Sequence, residues 1–252
     1  MVTAISMVKD ELDVVEAFIR HTCTQVDRMI VADNASTDGT RDVLDELARD
    51  LPLTVIDDPE VGYFQSFKMT ALAARAAADG AEWVLPADCD EWWYTPFAPR
   101  IADLFDDVRW THASILTAEL YDHVPTALDP DTGDPFQRIG WRRRDAAPLM
   151  KVAAKARPAV TIHQGNHGAD HGGRVDGLLI VRHFPLRSPE QMIRKARNGG
   201  KAYAATNLPE DHGKHWRDWN RLSDEQLGDV FRQFYWSANP AIVEDLIFDP
   251  AP

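Results

Sequence analysis

The chain has 252 residues, 44% of them apolar, and a formal charge of −13 at pH 7. That length buries a sizeable core in one large domain. So acidic a balance excludes a general nucleic-acid binder, which needs a basic footprint, and suits a cationic ligand or a divalent metal.

Two cysteines, Cys23 and Cys89, form no disulfide framework and point to a reducing compartment. The N-terminus lacks a basic leader region, and no apolar run approaches the roughly 20 residues of a transmembrane helix. The expectation is a cytoplasmic protein whose membrane contact is at most peripheral.

The first 120 residues alternate strand and helix signals. Val2–Val8 is a short apolar strand, and Asp10 is placed to cap a helix with Leu12, Val15, Phe18 and Ile19 on one face. "RMIVA" (28–32) has no polar alternation, as a strand buried on both faces requires. "DNASTDGT" follows as a turn, with Asn34, Ser36, Thr37 and Asp38 shaping it and capping the next helix. Leu53–Ile56 is a third strand. Phe64–Asp79 is an Ala-rich helix that Gly80 can end. Glu82–Ala87 and Ser114–Leu120 are further strands.

Such alternation predicts an α/β fold, a mainly parallel sheet flanked by helices, whose ligands bind beyond the strands' carboxyl ends. Asp33 and Asp88 both stand there. Residues 1–120 are expected to form the ligand-binding half. Residues 121–252 form an irregular and helical elaboration of the same domain, with helices starting at Ser188 and Ser223, each followed by a Gln three residues on.

"PADCDEWW" (86–93) closes the fourth strand with three carboxylates. In an extended segment Asp88 and Asp90 face one side and Cys89 the other. Two hard oxygen ligands suit Mg²⁺ or Mn²⁺ with a diphosphate completing the shell; the bland alternative is a solvated acidic turn.

"MVKDELDVVEAFIRH", "VDRMIVADNASTDGT" and "PADCDEWW", in that order, resemble the GT-A (Rossmann-like) glycosyltransferases, and more closely their family 2-like branch. "KVAAKARP", "HQGNH", "RHFPLRSPEQMIRKARNGG" and "HGKHWR" resemble that branch's later blocks, so the resemblance spans most of residues 2–220.

It implies a metal-dependent transfer of sugar from a nucleotide-sugar, UDP-type first, to an unknown hydroxyl acceptor with inversion. Asp33 would bind the base or ribose, with Lys9 and Lys68 near ribose or phosphate and Gln65 as a further candidate. Asp88 would meet ribose or metal, and Asp90 the metal. Glu91 would stand behind them, and Trp92 and Trp93 would be core or a sugar platform.

A histidine would complete the metal shell, His167 first, then His183, with His163 behind; the glycines of 160–177 make this stretch a loop. Lys155, Arg157 and Lys195, from two basic clusters that also hold Lys151 and Arg187, would neutralise the diphosphate. The general base would come from Glu119, Asp122 or Asp170. The branch's second-half Glu-Asp pair has no clear counterpart, since "PEDHG" (209–213) lies late in the chain. "HGKHWRDW" would form a lid or a packed aromatic cap.

Other classes fit less well. A dinucleotide oxidoreductase needs G-x-G-x-x-G where this chain has "MVKDEL", and no P-loop is present. A non-catalytic sugar-nucleotide or carbohydrate-binding protein keeps Asp33 and the tryptophans but has no use for Asp88 and Asp90. A metal hydrolase built on the histidine loop lacks H-E-x-x-H spacing.

Overall fold

A computed structural model describes residues 1–105, 112–130, 133–234 and 245–251. In chain order the first elements are β1 (Val2–Val8), α1 (Val15–Gln25), β2 (Arg28–Asp33), α2 (Thr40–Leu47), β3 (Leu53–Asp57), α3 (Gln65–Ala78), β4 (Trp83–Pro86), β5 (Glu91–Tyr94), α4 (Ile101–Phe105) and β6 (Ile115–Asp122). There follow α5 (Pro135–Arg138), β7 (Trp141–Arg143), β8 (Lys151–Lys155), β9 (Arg174–His183), α6 (Pro189–Ala204), α7 (Lys214–Trp219), α8 (Asp224–Phe234) and β10 (Leu246–Phe248).

The chain divides into two compact units, each built from separate stretches. One comprises Met1–Asp58, Gln65–Tyr121 and Ala146–His183; the other comprises Pro59–Phe64, Asp122–Asp145 and Phe184–Pro252. Residues 146–183 thus return to the first unit.

That unit carries an eight-stranded sheet of order β3-β2-β1-β4-β8-β6-β9-β5. β3, β2, β1 and β4 run parallel. β8 pairs antiparallel with both β4 and β6, and β5 antiparallel with β9. All four residues of β4 are buried, as are all but one of β1, so neither strand shows the alternation of a half-exposed one. α3 lays Met69, Leu72, Ala73 and Ala76 into one cluster with Ile5, Ile30, Val84, Val152 and Ile162. Its alanines let helix and sheet approach closely. Gly80, at φ 91°, then turns the chain back, its N–H bonding Ala77 O at 3.1 Å.

The entry to α1 differs from expectation. The helix begins at Val15 with no side-chain cap, and Leu12 is exposed. Asp10 sits in the left-handed region (φ 52°) and spends its carboxylate on Thr37 instead. A tertiary acceptor role has displaced the local one.

In the second unit both expected capping arrangements form. Ser188 Oγ accepts from Gln191 N at 3.1 Å, although the Gln191 amide oxygen returns to Arg187 N and not to Ser188 N. At α8 the exchange is fully reciprocal: Ser223 Oγ accepts from Gln226 N, and Gln226 Oε1 from Ser223 N. Leu186, Met192 and Ala196 pack on Leu227 and Phe231. Within "HGKHWRDW", α7 holds half-buried tryptophans: Trp216 lies against Gly199, edge-on to Trp219 at 5.5 Å, and Arg217 bonds Tyr203 O. Gly213 enters it at φ 63° with the Tyr203 ring filling the space a Cβ needs.

Two outcomes are expected. Gly213→Ala should destabilise the protein by about 1–3 kcal/mol in urea titrations, because the added carbon meets an aromatic ring that cannot retreat. In the first unit, His21 stacks on Trp92 at 3.6 Å and donates Nε2–H to Trp93 O at 2.7 Å. Burial pulls its pKa from 6.5 down to about 4. Between these values the unfolded chain binds a proton that the folded ring refuses, so this stabilisation is present above pH 6.5 and is lost on acidification, by up to about 3 kcal/mol. Urea midpoints measured from pH 7 to pH 4 should fall less steeply for His21→Gln than for wild type.

Candidate active site

Parallel strands deliver their carboxyl ends to one edge of a sheet. Val8 of β1 lies opposite Asp33 of β2, and Asp33 opposite Asp57 of β3. β4 flanks β1 on its other side, so Asp33 and the turn after Pro86 reach the same edge with one strand between them.

The loops leaving β1 and β2 are stitched together. Asp10 accepts from Thr37 N at 2.6 Å and donates its own N–H to Ser36 Oγ at 3.0 Å. Asp38 accepts from Leu12 N and from both the N–H and hydroxyl of Thr40. Lys9 Nζ donates to Asn34 O at 2.8 Å and Ala35 O at 2.6 Å. Buried Asp33 (4% exposed) accepts from Ser36 N at 3.3 Å. Arg41 approaches it to 4.0 Å while also pairing with Asp45 and Asp57. Asp58, just past β3, takes Asn34 Nδ2 at 3.0 Å and Lys68 Nζ at 2.6 Å. Lys9 and Lys68, expected near ribose or phosphate, are thus engaged in holding loops of the site.

After β4 the chain is not extended through Asp90; it turns at Cys89–Asp90 and enters β5 at Glu91. The two carboxylates consequently have different partners. Asp88 Oδ2 meets Lys151 Nζ at 2.6 Å; its Oδ1 accepts from Asn166 Nδ2 at 3.0 Å and Gln65 Nε2 at 3.3 Å. Lys151 also reaches Glu91 Oε1 at 2.7 Å and Gly165 O at 2.9 Å. Glu91 Oε2 accepts from Asp88 N at 3.0 Å and Trp93 Nε1 at 2.8 Å. Burial pushes the Glu91 carboxyl up from its ordinary value, with Lys151 opposing. Burial pulls the Lys151 ammonium down, but Asp88 and Glu91 outweigh it and hold it above its ordinary value.

Asp90 lies 3.7 Å from His183 Nε2, and His183, the last residue of β9, is paired with Glu91 across the sheet. His167 instead bonds Met150 O through Nδ1, and its pKa is lowered by burial and by the nearby Lys151. His163 pairs with Asp170 at 2.7 Å, and His171 with Lys155 O. The histidine stretch holds a short 3₁₀ turn, Gln164–Asn166, in which Asn166 is fully buried at φ 59° and Gly165 N donates to Gln65 Oε1.

Lys155 is placed elsewhere. It pairs with Trp83, at the opposite end of β4 from Asp88, with its Nζ 5.7 Å from the indole centroid. β8 runs antiparallel to β4, so its first residue, Lys151, reaches the site, and four residues further on the strand has travelled roughly 13 Å away. Arg157 is exposed beyond that strand. Lys195, in the second unit, donates to Pro185 O. Exposed Glu119 accepts from Tyr121 OH at 2.8 Å, and Asp122 ends β6. Trp93 is core, and Trp92 is the platform under His21.

Lys151 and Asn166 are the site residues that reading the sequence passed over. Position in "KVAAK" and "HQGNH" is their only linear signal.

Carboxylates thus stand at the ends of β2 and β4 on one edge of an α/β sheet, where such folds bind ligands. Residues 3–114, somewhat less than half of the chain, match Glycosyl transferase family 2. Comparison with curated proteins gives no match.

Distant similarity joins the chain to several solved structures. One is the mannosyltransferase PcManGT from Pyrobaculum calidifontis in complex with GDP-Man and Mn²⁺, at 17% identity and a TM-score of 0.45 over 92% of this chain and 73% of that one. S. aureus TarS 1-349 in complex with UDP-GlcNAc is similar at 12% identity and a TM-score of 0.45, over 92% and 73%. GalNAc-T7 with UDP, GalNAc and Mn²⁺ is similar at 10% identity and a TM-score of 0.42, over 93% and 58%.

One consequence for stability is measurable. Glu91→Ala leaves Lys151 short of a buried partner and orphans two donors. Equilibrium denaturation should show a loss of about 3–5 kcal/mol, the usual range for removing half of a buried ion pair.

Proposed function

We propose that the protein transfers a sugar from a nucleotide-sugar, UDP-type first, to a hydroxyl acceptor, with inversion and with a divalent Mn²⁺ or Mg²⁺ ion. The observation that carries this reading is the shared edge. A buried carboxylate, Asp33, and the Asp88–Asp90 turn flank β1 within a domain matched to glycosyl transferase family 2.

Asp33 would accept a hydrogen bond from the base or ribose. The Lys9, Asp10 and Asp38 bonds fix the loop around it before any ligand arrives. Asp88 keeps a partly exposed edge and would meet the ribose.

Asp90 and His183 would hold the ion. Their nearest atoms are 3.7 Å apart, against about 3 Å for neighbouring ligands of an octahedral ion, so a small side-chain shift lets both reach one ion. Oxygen and imidazole donors both suit Mn²⁺. Among the described residues no cluster of three or more His, Cys, Asp or Glu is gathered to hold an ion. Two protein ligands with the rest supplied by substrate oxygens is the pattern of ions bound together with phosphates. When bound, the ion offsets charge on the departing diphosphate.

For the acceptor's proton we propose the His163–Asp170 pair, on the loop that also supplies Asn166. Its hydrogen bond to His163 holds the Asp170 carboxyl below its ordinary value, so the carboxylate stays ionised and orients the imidazole.

The test is calorimetric titration of chelator-treated protein with UDP, GDP and dTDP, with and without Mn²⁺, alongside donor hydrolysis. UDP binding that tightens with Mn²⁺ and accompanies hydrolysis is expected. Asp33→Ala should weaken that binding at least tenfold, and Asp90→Asn should erase the metal-dependent share. Nucleotide binding without hydrolysis under any metal condition would favour a non-catalytic binding protein instead. No nucleotide binding at all would overturn the reading.

A further inference from the structure

Lys151 makes three contacts, to Asp88, Glu91 and Gly165 O, at 2.6, 2.7 and 2.9 Å. The contacts to Asp88 and Gly165 O are hydrogen bonds, and the one to Glu91 is an ion pair, so the ammonium is ringed by three oxygens. Its side chain is 5% exposed and Glu91 is fully buried. Charge interactions between such groups are screened far less than at a surface. Both oxygens of Asp88 are engaged, one by the ammonium and the other by the amides of Gln65 and Asn166. The second oxygen of Glu91 is engaged by Asp88 N and Trp93 Nε1. A divalent ion coordinated by Asp88 would therefore stand beside a fixed positive charge. Asp90, two residues on, faces an imidazole instead.

We propose that Lys151 is a resident counter-cation: its charge offsets the Asp88–Glu91 pair and so confines a divalent ion to the Asp90–His183 side of the turn. It is a positioning residue, acting through Asp88. The inference rests on the metal-dependent reading above, and it makes a claim that reading does not: without the ammonium, Asp88 and Glu91 become a second divalent-cation site.

The experiment measures Mn²⁺ binding without nucleotide, by the loss of the free-ion paramagnetic resonance signal. It compares wild type, Lys151→Met, Lys151→Arg, Asp90→Asn and the Lys151→Met/Asp90→Asn double variant, with thermal melts of each in chelator and in Mn²⁺.

Lys151→Met should melt below wild type in chelator and recover in Mn²⁺. It should bind Mn²⁺ at least tenfold more tightly than wild type, and that binding should survive in the double variant. Lys151→Arg should behave as wild type. A purely structural lysine would lower the melting temperature without changing metal affinity, so a folded Lys151→Met with wild-type or weaker Mn²⁺ affinity overturns the inference. If Lys151→Met does not fold even with Mn²⁺, Lys151→Gln is judged by the same criterion. Asp90→Asn alone, measured with UDP present to complete the ion's shell, reports on the parent reading. Unchanged Mn²⁺ binding there would sink the Asp90–His183 assignment, whereas its loss without a gain in Lys151→Met would sink only the role given to Lys151.

Discussion

A buried ammonium held between two carboxylates organises the first unit. Lys151 opens β8, Asp88 and Glu91 flank the turn from β4 to β5, and Gly165 belongs to the histidine loop, so that turn and that loop converge on one nitrogen of β8. Desolvating three ionised groups is unfavourable by itself, and such a cluster persists when geometry and extra hydrogen bonds saturate it. Here the extra hydrogen bonds come from Gln65, Asn166, Asp88 N and Trp93 Nε1. Gln65 is the first residue of α3 and also receives Gly165 N, so the cluster extends to the helix that covers β1 and β4.

The neighbouring loops follow a second economy. Short polar side chains replace the packing that a loop lacks: Asp10, Ser36, Thr37, Asp38 and Thr40 bond one another's backbones, and Lys9 ties off two carbonyls. Asp10 accepts a left-handed backbone to take part, which is tolerable for aspartate at one position. A ligand meeting such an edge finds its loops already ordered, and less freedom is lost on binding.

The sequence makes local features readable and leaves pairing hidden. Buried strands without alternation, the Gly80 stop and the two Ser-x-x-Gln helix starts depend on neighbours a few residues away, and the expected elements formed at those places. Asp10 defeated the same logic because its partner, Thr37, lies on another strand's loop. The choice of Lys151 over Lys155 depends on which way β8 runs beside β4, and nothing within "KVAAK" states a direction. His183 rather than His167 stands by Asp90 because β9 pairs with β5 and brings its last residue to the turn. That pairing spans about ninety residues of chain, beyond any local periodicity. That Asp33 ends a strand and Asp88 and Asp90 follow one was legible because a strand's carboxyl end is a local property.

The strand order also bears on how the molecule is assembled in time. β8 lies between β4 and β6, and β9 between β6 and β5. Emerging from the ribosome, the family-matched stretch 3–114 carries β4 and β5 before either has its antiparallel neighbour. Until residues 151–183 are made, those strands present unpaired backbone edges, the kind that invite another chain to add on. Closure of the sheet waits for contacts of high sequence separation, which slows folding and lengthens that exposure. The matched stretch on its own therefore leaves two strands of the sheet without their neighbours.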